Sequence, residues 1–508
     1  MKCSWLENAI FYEIYPNSFK DNNNDGYGDF KGIISKLDYL KNLGINAIWL
    51  NPHYDSPFMD GGYDVRDFFK CSSRFGTEDE FDLLVEQCHQ KNIHLIIDLV
   101  AGHTSEENPM FIKSTSPKYN EFSDRFIWTK DPWNCPHEYK FINGRYNRFG
   151  AYMVNFFSTQ PALNYGFNKI TAEWQMSYKD IEPKKTQEFL LSVMRFWLNR
   201  HVDGFRVDLA DSLVKNDDNK EATIEIWQHM ISTIKKEYPD IMFVSEWNNP
   251  YQSLKAGFDC DFVLDRQSNF YNDLSRKEEF NPQEKSFLEK DSNFDIRNDF
   301  KKIIKIIDET KNQGYLSFIT CNHDTLRASY YLTNQELKLF NFIVLTLPGV
   351  PFIYYGDELG MKYRDDIDSV ECGYARTGSR TPFPWLNNKN QGFSASENIV
   401  PFLPPDYSTS LTSQENDNNS LLNFTKKVIK LRLENNNLHG NNITYFETND
   451  PRLLAYFRNN DLIIINPTIL EKQIELNSIK ELVFKEGNIT IKDQKLILGG
   501  QSIVIVRI

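Results

Sequence analysis

Residues 202–208, VDGFRVD, form a short apolar run that ends in a carboxylate. Similar runs recur along the first part of the chain, and segments with helical periodicity separate them. They cover residues 9–15, 45–50, 94–100, 241–246, 262–265, 316–324 and 350–355. Residues 187–199 and 337–347 carry apolar side chains at helical spacing before two of the runs. Eight strands that alternate with helices predict an α/β fold, the (β/α)8 TIM barrel.

Two parts of the chain depart from this alternation. The segment between the third and fourth runs is longer than the others and rich in Asn, Pro, Tyr and Trp, so we expect an inserted lobe after strand 3. From Thr444 onward, short alternating strands with Asn and Gly turns predict a C-terminal antiparallel β-sandwich. The predicted domain limits are 1–103 and 170–435 for the barrel, 104–169 for the lobe and 436–508 for the sandwich.

The composition excludes several classes of protein. The 57 Lys and Arg residues against 70 Asp and Glu give a formal net charge of −13, which opposes binding to nucleic acid or to anionic lipid. No basic leader or long apolar span is present in the sequence, so we expect a soluble protein without a membrane partner, monomeric or weakly homo-oligomeric. The seven cysteines are scattered and odd in number. They favour a reducing cytoplasm over a disulfide framework or a zinc cluster.

Carboxylates follow three of the predicted strands. Asp208 ends VDGFRVD, Glu246 lies in FVSEW, and Asp324 lies in CNHD. Because strand ends meet at the C-terminal face of a TIM barrel, we expect these three residues to share a site. Each carboxylate alone is as easily a member of a structural ion pair, but three at strand ends favour catalysis. Clustered like charges raise one pKa and leave others ionised, so one site can hold an acid and a nucleophile.

Six ordered motifs resemble those of the α-amylase family of glycoside hydrolases, and the resemblance covers nearly the whole chain. The motifs beyond the three carboxylate segments are DLVAGH at 98–103, QPALNY at 160–165 and GDE at 356–358. The pattern is most similar to the branch of α-glucosidases, oligo-1,6-glucosidases and trehalose synthases. The resemblance implies that Asp208 is the nucleophile, Glu246 the general acid/base, and Asp324 the carboxylate that binds sugar hydroxyls in the transition state.

The resemblance also implies contacts in the innermost sugar subsite. Arg206 would hold Asp208 ionised, while His103 and His323 would donate hydrogen bonds to the sugar. A lone histidine is more often structural, and here the motif context favours binding. The physical case agrees, since glycoside cleavage needs a proton for the leaving oxygen and an anion at the anomeric carbon, which Glu246 and Asp208 can supply.

The segment DGGYDV at 60–65 resembles the family segment that supplies a stacking tyrosine and, in exo-acting members, an aspartate for the non-reducing end. We assign these roles to Tyr63 and Asp64, since a tyrosine ring packs on a pyranose and a carboxylate accepts hydroxyl protons. RTGSRTPFPW at 376–385 resembles a stretch of α-glucosidases, trehalose synthases and sucrose isomerases. Either Arg376 or Arg380 is expected to pair with Asp64 and close the pocket; surface ion pairs are the alternative.

The loop DNNNDGYGD at 21–29 places oxygen-bearing side chains at alternate positions, as in the first part of an EF-hand. The twelfth position is Gly32 instead of a bidentate glutamate, so a true EF-hand is not expected. Oligo-1,6-glucosidase-like proteins carry a similar calcium loop, and this resemblance implies one structural Ca²⁺. Its expected ligands are Asp21, Asn23, Asp25, Asp29 and the backbone carbonyl of Tyr27. A solvated turn rich in Asn and Asp is the alternative.

Two residues depart from the family motifs. Gly102 stands where many amylases have an Asn that helps to hold calcium between barrel and lobe, so that second calcium site is not expected. Ala162 stands where the α-glucosidase branch usually has Asp, which weakens assignment to a subfamily.

Together the motifs predict a retaining, exo-acting α-glucosidase that hydrolyses short α-linked gluco-oligosaccharides or disaccharides. A glucosyltransferase or isomerase, such as trehalose synthase, would use the same residues with a sugar as acceptor. An inactive interaction domain is disfavoured because all three carboxylates are kept. The linkage stays open, since the bulky Leu209 resembles the Val of α-1,6-acting relatives, whereas Trp247 is an unfamiliar neighbour of the acid.

Overall fold

The computed structural model describes residues 3–263, 270–371, 376–396, 409–476, 478–492 and 494–508. Its largest sheet has eight parallel strands. They are β1 (Phe11–Ile14), β2 (Ala47–Leu50), β3 (His94–Val100), β4 (Gly204–Asp208), β5 (Met242–Ser245), β6 (Cys260–Val263), β7 (Tyr315–Phe318) and β8 (Phe352–Tyr354). Their order is β7-β6-β5-β4-β3-β2-β1-β8, and a parallel bridge between Ile319 and Phe352 joins β7 to β8. The predicted TIM barrel is confirmed.

The strands are mostly shorter than the runs that predicted them, and after β5 and β7 the polar ends of the runs, Glu246 and Asp324, lie in loops. β7 ends at Phe318, and the following loop contains a turn in which the Asn322 side chain accepts a hydrogen bond from the Asp324 N–H at 3.0 Å. β6 begins at Cys260, and the predicted end of its run, 264–265, lies outside the described residues. Barrel strands are covered on both faces, which explains why their sequences are almost continuously apolar.

Helices follow the strands around the barrel, and capping boxes start two of them, at Thr77 with Glu80 and at Thr333 with Glu336. The α-helices of the described residues outside the lobe are Pro16–Phe19, Phe30–Ser35, Leu37–Leu43, Glu78–Gln90, Ile181–Leu198, Glu221–Glu237, Pro250–Ser253, Phe270–Ser275, Lys277–Phe280, Arg297–Thr310, Asn334–Thr346, Leu411–Glu415 and Leu421–Glu434. The periodic segments 187–199 and 337–347 lie mainly within two of them. In these ranges we find no helix with the length and apolar character needed to cross a membrane.

The inserted lobe follows β3 and contains the helix Pro109–Ser114 and an antiparallel hairpin of Lys140–Asn143 with Ala151–Val154. A small apolar core fills it, consisting of Ile127, Met153, Ala162 and Phe167. Ala162 is fully buried there, where an unpaired aspartate would be costly. The departure of this position from the family motif therefore has a packing explanation.

The C-terminal residues form two antiparallel sheets. The first contains, in order, Thr444–Tyr445, Leu454–Arg458, Asp461–Asn466, Ser502–Arg507 and Glu481–Glu486; the second contains Lys472–Glu475, Lys495–Leu498 and Ile489–Lys492. Side chains of both sheets share one core, in which Ile464 and Val504 of the first contact the region of Ile474 and Leu496 of the second. This arrangement confirms the predicted β-sandwich, while the domain limits in the chain stay predictions.

Candidate active site

A cavity of about 350 Å³ opens at the C-terminal ends of the barrel strands. Asp208 is the last residue of β4, Glu246 follows β5, and Asp324 lies in the loop after β7. All three line the cavity, which is also lined by Asp60, Tyr63, His103, Phe156, Gln160, Leu209, Glu279, Phe280, Asn322, Thr325 and Arg376. The structure thus brings together the three carboxylates that the sequence placed at strand ends.

Arg206 connects two of these carboxylates to a third acid beneath them. Its Nη1 donates to Asp98 Oδ1 at 2.6 Å and to Asp208 Oδ1 at 2.9 Å, and its Nη2 donates to Glu246 Oε2 at 2.7 Å. Side chains two residues apart in a strand share a face, so Arg206 and Asp208 point the same way from β4. The Arg206 side chain is 1% exposed, so solvent screens these ion pairs little.

The charge state of Asp208 depends on Arg206. Burial raises the pKa of Asp208 well above its ordinary value, Arg206 counteracts this shift, and Glu246 raises the pKa further. Without the guanidinium, two adjacent carboxylates in a buried site would strongly disfavour the ionised form. Arg206 therefore opposes the rise in the pKa of Asp208 that burial and Glu246 cause, while its predicted role of holding Asp208 ionised stays a prediction.

A strained residue links Asp208 to Glu246. Leu209 has φ 42° and ψ 46°, a left-handed conformation that costs of order 1–3 kcal/mol for a residue other than glycine. In this conformation its N–H donates to Glu246 Oε2 at 3.1 Å, and the residue lines the cavity. Glu246 is thus held by one guanidinium and one peptide N–H, both from the end of β4.

Asp324 is surrounded by cationic groups. Its Oδ1 accepts hydrogen bonds from Arg376 Nη1 at 2.7 Å and from Arg380 Nη2 at 2.8 Å, and its Oδ2 lies 3.2 Å from His323 Nε2. Burial by itself raises the pKa of Asp324, but His323, Arg380 and Arg206 lower it by more, to a value below the ordinary range. Asp324 is therefore a fixed anion in the cavity.

The two site histidines carry different charges at neutral pH. His323 lies between Glu13, whose Oε1 is 2.7 Å from Nδ1, and Asp324. Burial lowers the pKa of His323, but the two carboxylates raise it more, to about 9. Burial lowers the pKa of His103 to about 4, so this ring is neutral. Its Nε2 lies 3.2 Å from the Tyr63 carbonyl oxygen, which its N–H satisfies before any sugar binds.

Tyr63 lies at the centre of these groups. Its ring stacks on the His323 ring, with centroids 5.2 Å apart and planes within 10°, and its hydroxyl donates to Asp98 Oδ2 at 3.2 Å. Tyr63 thus lines the cavity, and its hydroxyl is held by the same buried acid that anchors Arg206, while its predicted stacking on a sugar stays a prediction.

One wall of the cavity is formed by Asp60, Gln160 and Arg376. Asp60 forms an ion pair with Arg376, and Gln160 Nε2 donates to Asp60 Oδ2 at 2.5 Å. Arg380 lies outside this cavity and lines a second one of about 250 Å³, where it pairs with Glu371. Of the two candidate arginines, Arg376 is therefore the one that lines the active-site cavity.

The predicted pairing of Asp64 with an arginine is wrong. Asp64 is fully buried, and its carboxylate accepts hydrogen bonds from the Ser56 hydroxyl at 3.1 Å and from the N–H groups of Met59 and Asp60 at 2.9 and 3.0 Å. The two glycines after Asp60 have φ of 58° and 106°, and they fold the segment into a tight turn. This turn places Asp64 inside and Asp60 on the cavity wall.

Several site residues were not singled out from the sequence. Asp98 and Gln160 lie in motifs that were recognised, but no role was given to them. Glu13 is a charged residue inside the first apolar run, which was itself a signal, since a buried carboxylate requires a partner. Asp60 also lies in a recognised segment, DGGYDV, but the role there was assigned to Asp64, and Glu371 carried no local signal.

The 21–29 loop brings its polar side chains together. Both carboxylate oxygens of the buried Asp21 accept hydrogen bonds from N–H groups of the loop, at 2.6 and 2.9 Å. Asp29 Oδ2 also accepts hydrogen bonds from two N–H groups of the loop, and Asn23 Nδ2 donates to Asp25 Oδ2 at 3.0 Å. A carboxylate has about four acceptor positions, so capacity is left for a cation. Within the described ranges, no three His, Cys, Asp or Glu side chains group as a metal site by themselves. A cation here would also need Asn23 and the Tyr27 carbonyl, and such hard oxygens fit Ca²⁺.

The departure at position 102 has a structural counterpart. A Cβ on Gly102 would come within 2.8 Å of Asn155 Nδ2, and that amide lies 3.1 Å from His103 Nδ1. The lobe thus contacts the barrel directly where many amylases place a ligand for calcium.

The model of the α-amylase catalytic domain matches residues 13–441. This chain belongs to the α-amylase family. A protein named Alpha-amylase 3 from Dictyoglomus thermophilum is 31% identical over 517 residues, which cover 99% of this chain and 94% of that protein. An oligo-1,6-glucosidase from Parageobacillus thermoglucosidasius is 29% identical, with 97% and 95% covered. The structure of an isomaltulose synthase from Klebsiella sp. LX3 superposes with a TM-score of 0.83 at 27% identity, over 99% of both chains.

The α-amylase family assignment makes this chain a glycoside hydrolase, in the branch that includes α-glucosidases and trehalose synthases. The relatives span nearly the same length as this chain, so lobe and sandwich are shared along with the barrel.

Proposed function

We propose that this α-amylase family member is a retaining, exo-acting α-glucosidase for short α-linked gluco-oligosaccharides or disaccharides. The wall of Asp60, Gln160 and Arg376 carries the proposal. It presents a carboxylate, an amide and a guanidinium, which together donate to and accept from sugar hydroxyls. An enzyme that cuts long chains internally needs a cleft open at both ends, whereas this wall suits a terminal sugar.

The chemistry rests on Asp208 and Glu246. Glu246 transfers its proton to the glycosidic oxygen while Asp208 forms a bond to the anomeric carbon, so the aglycone leaves as a neutral alcohol. Water then attacks the anomeric carbon and gives its proton to Glu246 while the bond to Asp208 breaks, which restores both groups. Arg206 contacts both residues throughout, and it compensates the negative charge that alternates between them.

The shared guanidinium also supports retention of configuration. Retaining enzymes hold the two carboxyl groups about 5–5.5 Å apart, whereas inverting enzymes leave about 6.5–9.5 Å for a water molecule. Two carboxylates that bond to adjacent nitrogens of one guanidinium are drawn to the shorter separation. The anomer of the first product, followed by NMR before mutarotation, tests this step: α-glucose is expected, and β-glucose would contradict it.

A glucosyltransferase or isomerase is the second candidate, and the likeness to an isomaltulose synthase favours it. The two activities differ in whether water or sugar reaches the glucosyl-enzyme. Phe156, Glu279 and Phe280 line the cavity together with Leu209, and they are candidates for the acceptor side. These residues provide both apolar and charged surface, which does not select one linkage or one acceptor. Substrates with α-1,4 and α-1,6 linkages, and water and sugar as acceptors, are therefore to be compared directly.

The deciding experiment incubates the purified protein with maltose, isomaltose, trehalose or sucrose, and compares free glucose with new oligosaccharides or isomers. Free glucose as the main early product supports the glucosidase, and an isomer formed without glucose supports the second candidate. Soluble starch is the control, since rapid loss of its iodine colour would contradict exo action. An absence of turnover on every substrate would favour the inactive domain, against which the assembled carboxylates and Arg206 argue.

We also propose that the 21–29 loop binds one structural Ca²⁺ through Asp21, Asn23, Asp25, Asp29 and the Tyr27 carbonyl. The gathering of these oxygens in one loop supports it. The ion would tie this loop to the chain at Ser394, whose hydroxyl donates to Asp21 Oδ2 at 2.6 Å. Its contribution would be to stability, because acid and nucleophile are already supplied by side chains.

A cytoplasmic location and a monomeric or weakly oligomeric state complete the proposal. Six described cysteines are free, and five of them are buried, which supports a reducing compartment; the seventh cysteine of the sequence, Cys372, lies outside the described residues. Cell fractionation and light scattering of the purified protein test these two points.

A further inference from the structure

The segment that follows the proposed acid is held by a single buried carboxylate. Asp261, in β6, is fully buried, and its Oδ1 accepts a hydrogen bond from the Ser245 hydroxyl at 2.7 Å. The same oxygen accepts the N–H groups of Trp247 and Asn248 at 3.2 and 3.3 Å, and Oδ2 accepts that of Asn249 at 2.8 Å. One side chain therefore bonds to the residue before Glu246 and to the three after it.

These bonds fix a backbone that has no regular structure of its own. β5 ends at Ser245, and Asn248 has φ of 58°, so the chain turns sharply directly after Glu246. Three successive N–H groups point inward at this turn and would be unsatisfied without an acceptor. A carboxylate is suited to accept several of them, since charge-assisted hydrogen bonds are stronger than neutral ones.

The Glu246 backbone is also fixed on its other side. Its N–H donates to the Val207 carbonyl at 3.0 Å, and its carbonyl accepts from Ala210 N–H at 3.2 Å. The end of β4 and Asp261 thus clamp the acid from two directions. Of these, only Asp261 acts through a side chain that mutation can alter without touching the cavity.

We infer that Asp261 is a positioning residue for Glu246, which holds the acid/base at the distance needed for proton transfer to the glycosidic oxygen. The inference rests on the proposed function, because it assumes that Glu246 protonates the leaving group. Asp261 does not line the cavity, so it acts through the turn and not by contact with the sugar. Misplacement of a catalytic group by about 1 Å can cost about 100-fold in rate.

The test is D261N, which keeps the shape of the side chain but turns an NH₂ group toward backbone N–H donors. We measure kcat/KM for a disaccharide, whose leaving group needs protonation, and for a nitrophenyl α-glucoside, whose leaving group does not. The ratio of kcat/KM for the disaccharide to kcat/KM for the nitrophenyl α-glucoside is expected to fall by about 10-fold to 100-fold. The KM of the nitrophenyl substrate should stay nearly unchanged. A general structural defect would lower both values of kcat/KM together and leave the ratio unchanged.

The matched control is D259N. Asp259 directly precedes β6 and is also buried. It accepts a hydrogen bond from the Phe243 N–H at 2.8 Å, at the opposite end of β5, and forms an ion pair with Lys235 at 2.5 Å. The D259N substitution therefore removes a comparable buried carboxylate at a position far from the turn. D259N should lower the melting temperature while the ratio of kcat/KM values stays as in the wild type.

The outcomes separate this inference from the proposed function. A wild type that hydrolyses neither substrate contradicts the function, whereas an active wild type with an unchanged ratio in D261N overturns the role of Asp261. If D261N does not fold, S245A takes its place, since it removes the shortest bond to Asp261 and should lower the ratio in the same direction by a few-fold. An unchanged ratio in S245A would then overturn the inference.

Discussion

Exchanging Asp60 for Asn, and comparing it with the same exchange at Asp64, tests which carboxylate binds the terminal sugar. The two residues lie in one turn and are 4% and 0% exposed, so the substitutions are matched in chemistry and burial. Only Asp60 lines the cavity and pairs with Arg376. D60N keeps the shape of the side chain and removes the charge that accepts sugar hydroxyls.

The magnitude follows from the bonds that are lost. A hydrogen bond to a charged group is worth about 1.5–3 kcal/mol, so two hydroxyl bonds to Asp60 amount to about 3–6 kcal/mol. A factor of ten corresponds to about 1.4 kcal/mol, which predicts a loss in kcat/KM of about 100-fold to 10,000-fold. These contacts strengthen in the transition state, so kcat should fall together with a rise in KM.

D64N should behave differently, because Asp64 bonds to its own turn. Its amide can keep the oxygen-side contacts but cannot accept the Met59 N–H, which costs about 1–3 kcal/mol for an unsatisfied buried donor. We expect a melting temperature lower by a few degrees and a kcat/KM for maltose within about tenfold of the wild type.

The assay measures initial rates on maltose and isomaltose and the thermal unfolding of both variants. If D60N retains wild-type kcat/KM while D64N loses it, the assignment of the wall to Asp60 is refuted. Equal losses in both variants, with equal shifts in melting temperature, would show that the turn as a whole matters and not the carboxylate on the wall.

The remaining predictions concern the catalytic pair, pH and calcium. D208N should abolish turnover with the fold intact, and E246Q should lose several orders of magnitude on disaccharides but less on nitrophenyl α-glucoside; substantial hydrolysis of disaccharides by both would contradict these roles. Because the pKa of His323 is raised from 6.5 to about 9 in the folded protein, its contribution to stability is full below pH 6.5 and lost as the pH rises through 9. The free energy of unfolding should fall over this range by up to about 3 kcal/mol. E13Q, which removes one of the two carboxylate partners of His323, should make this fall smaller. A melting temperature that does not change over this pH range would exclude a stabilising charge on His323. EDTA should lower the melting temperature in a calcium-reversible way, with little effect on activity well below it, and D21A should remove this sensitivity; immediate loss of activity in the folded protein would contradict a structural ion.

The local patterns of the sequence were sufficient for the barrel and for three acids of the site. Strands covered on both faces are largely apolar, so VDGFRVD and its counterparts were visible as separate runs. The carboxylates were visible because they stand at the ends of these runs, and a parallel barrel places the C-terminal ends of all its strands at one face. Asp208, Glu246 and Asp324 therefore follow from sequence position alone.

The wall of the cavity and the support of the acid depended on contacts between distant residues. Asp60 and Asp64 are equivalent in the sequence, and the two glycines between them decide through positive φ which one faces the cavity. Arg376 meets Asp60 only in the folded chain, and Asp261 meets the turn after Glu246 only when β6 pairs with β5. Such pairings are set by which side chains point at each other across strands and loops, and the free energy that selects them comes from burial and charge in three dimensions, which no local pattern encodes.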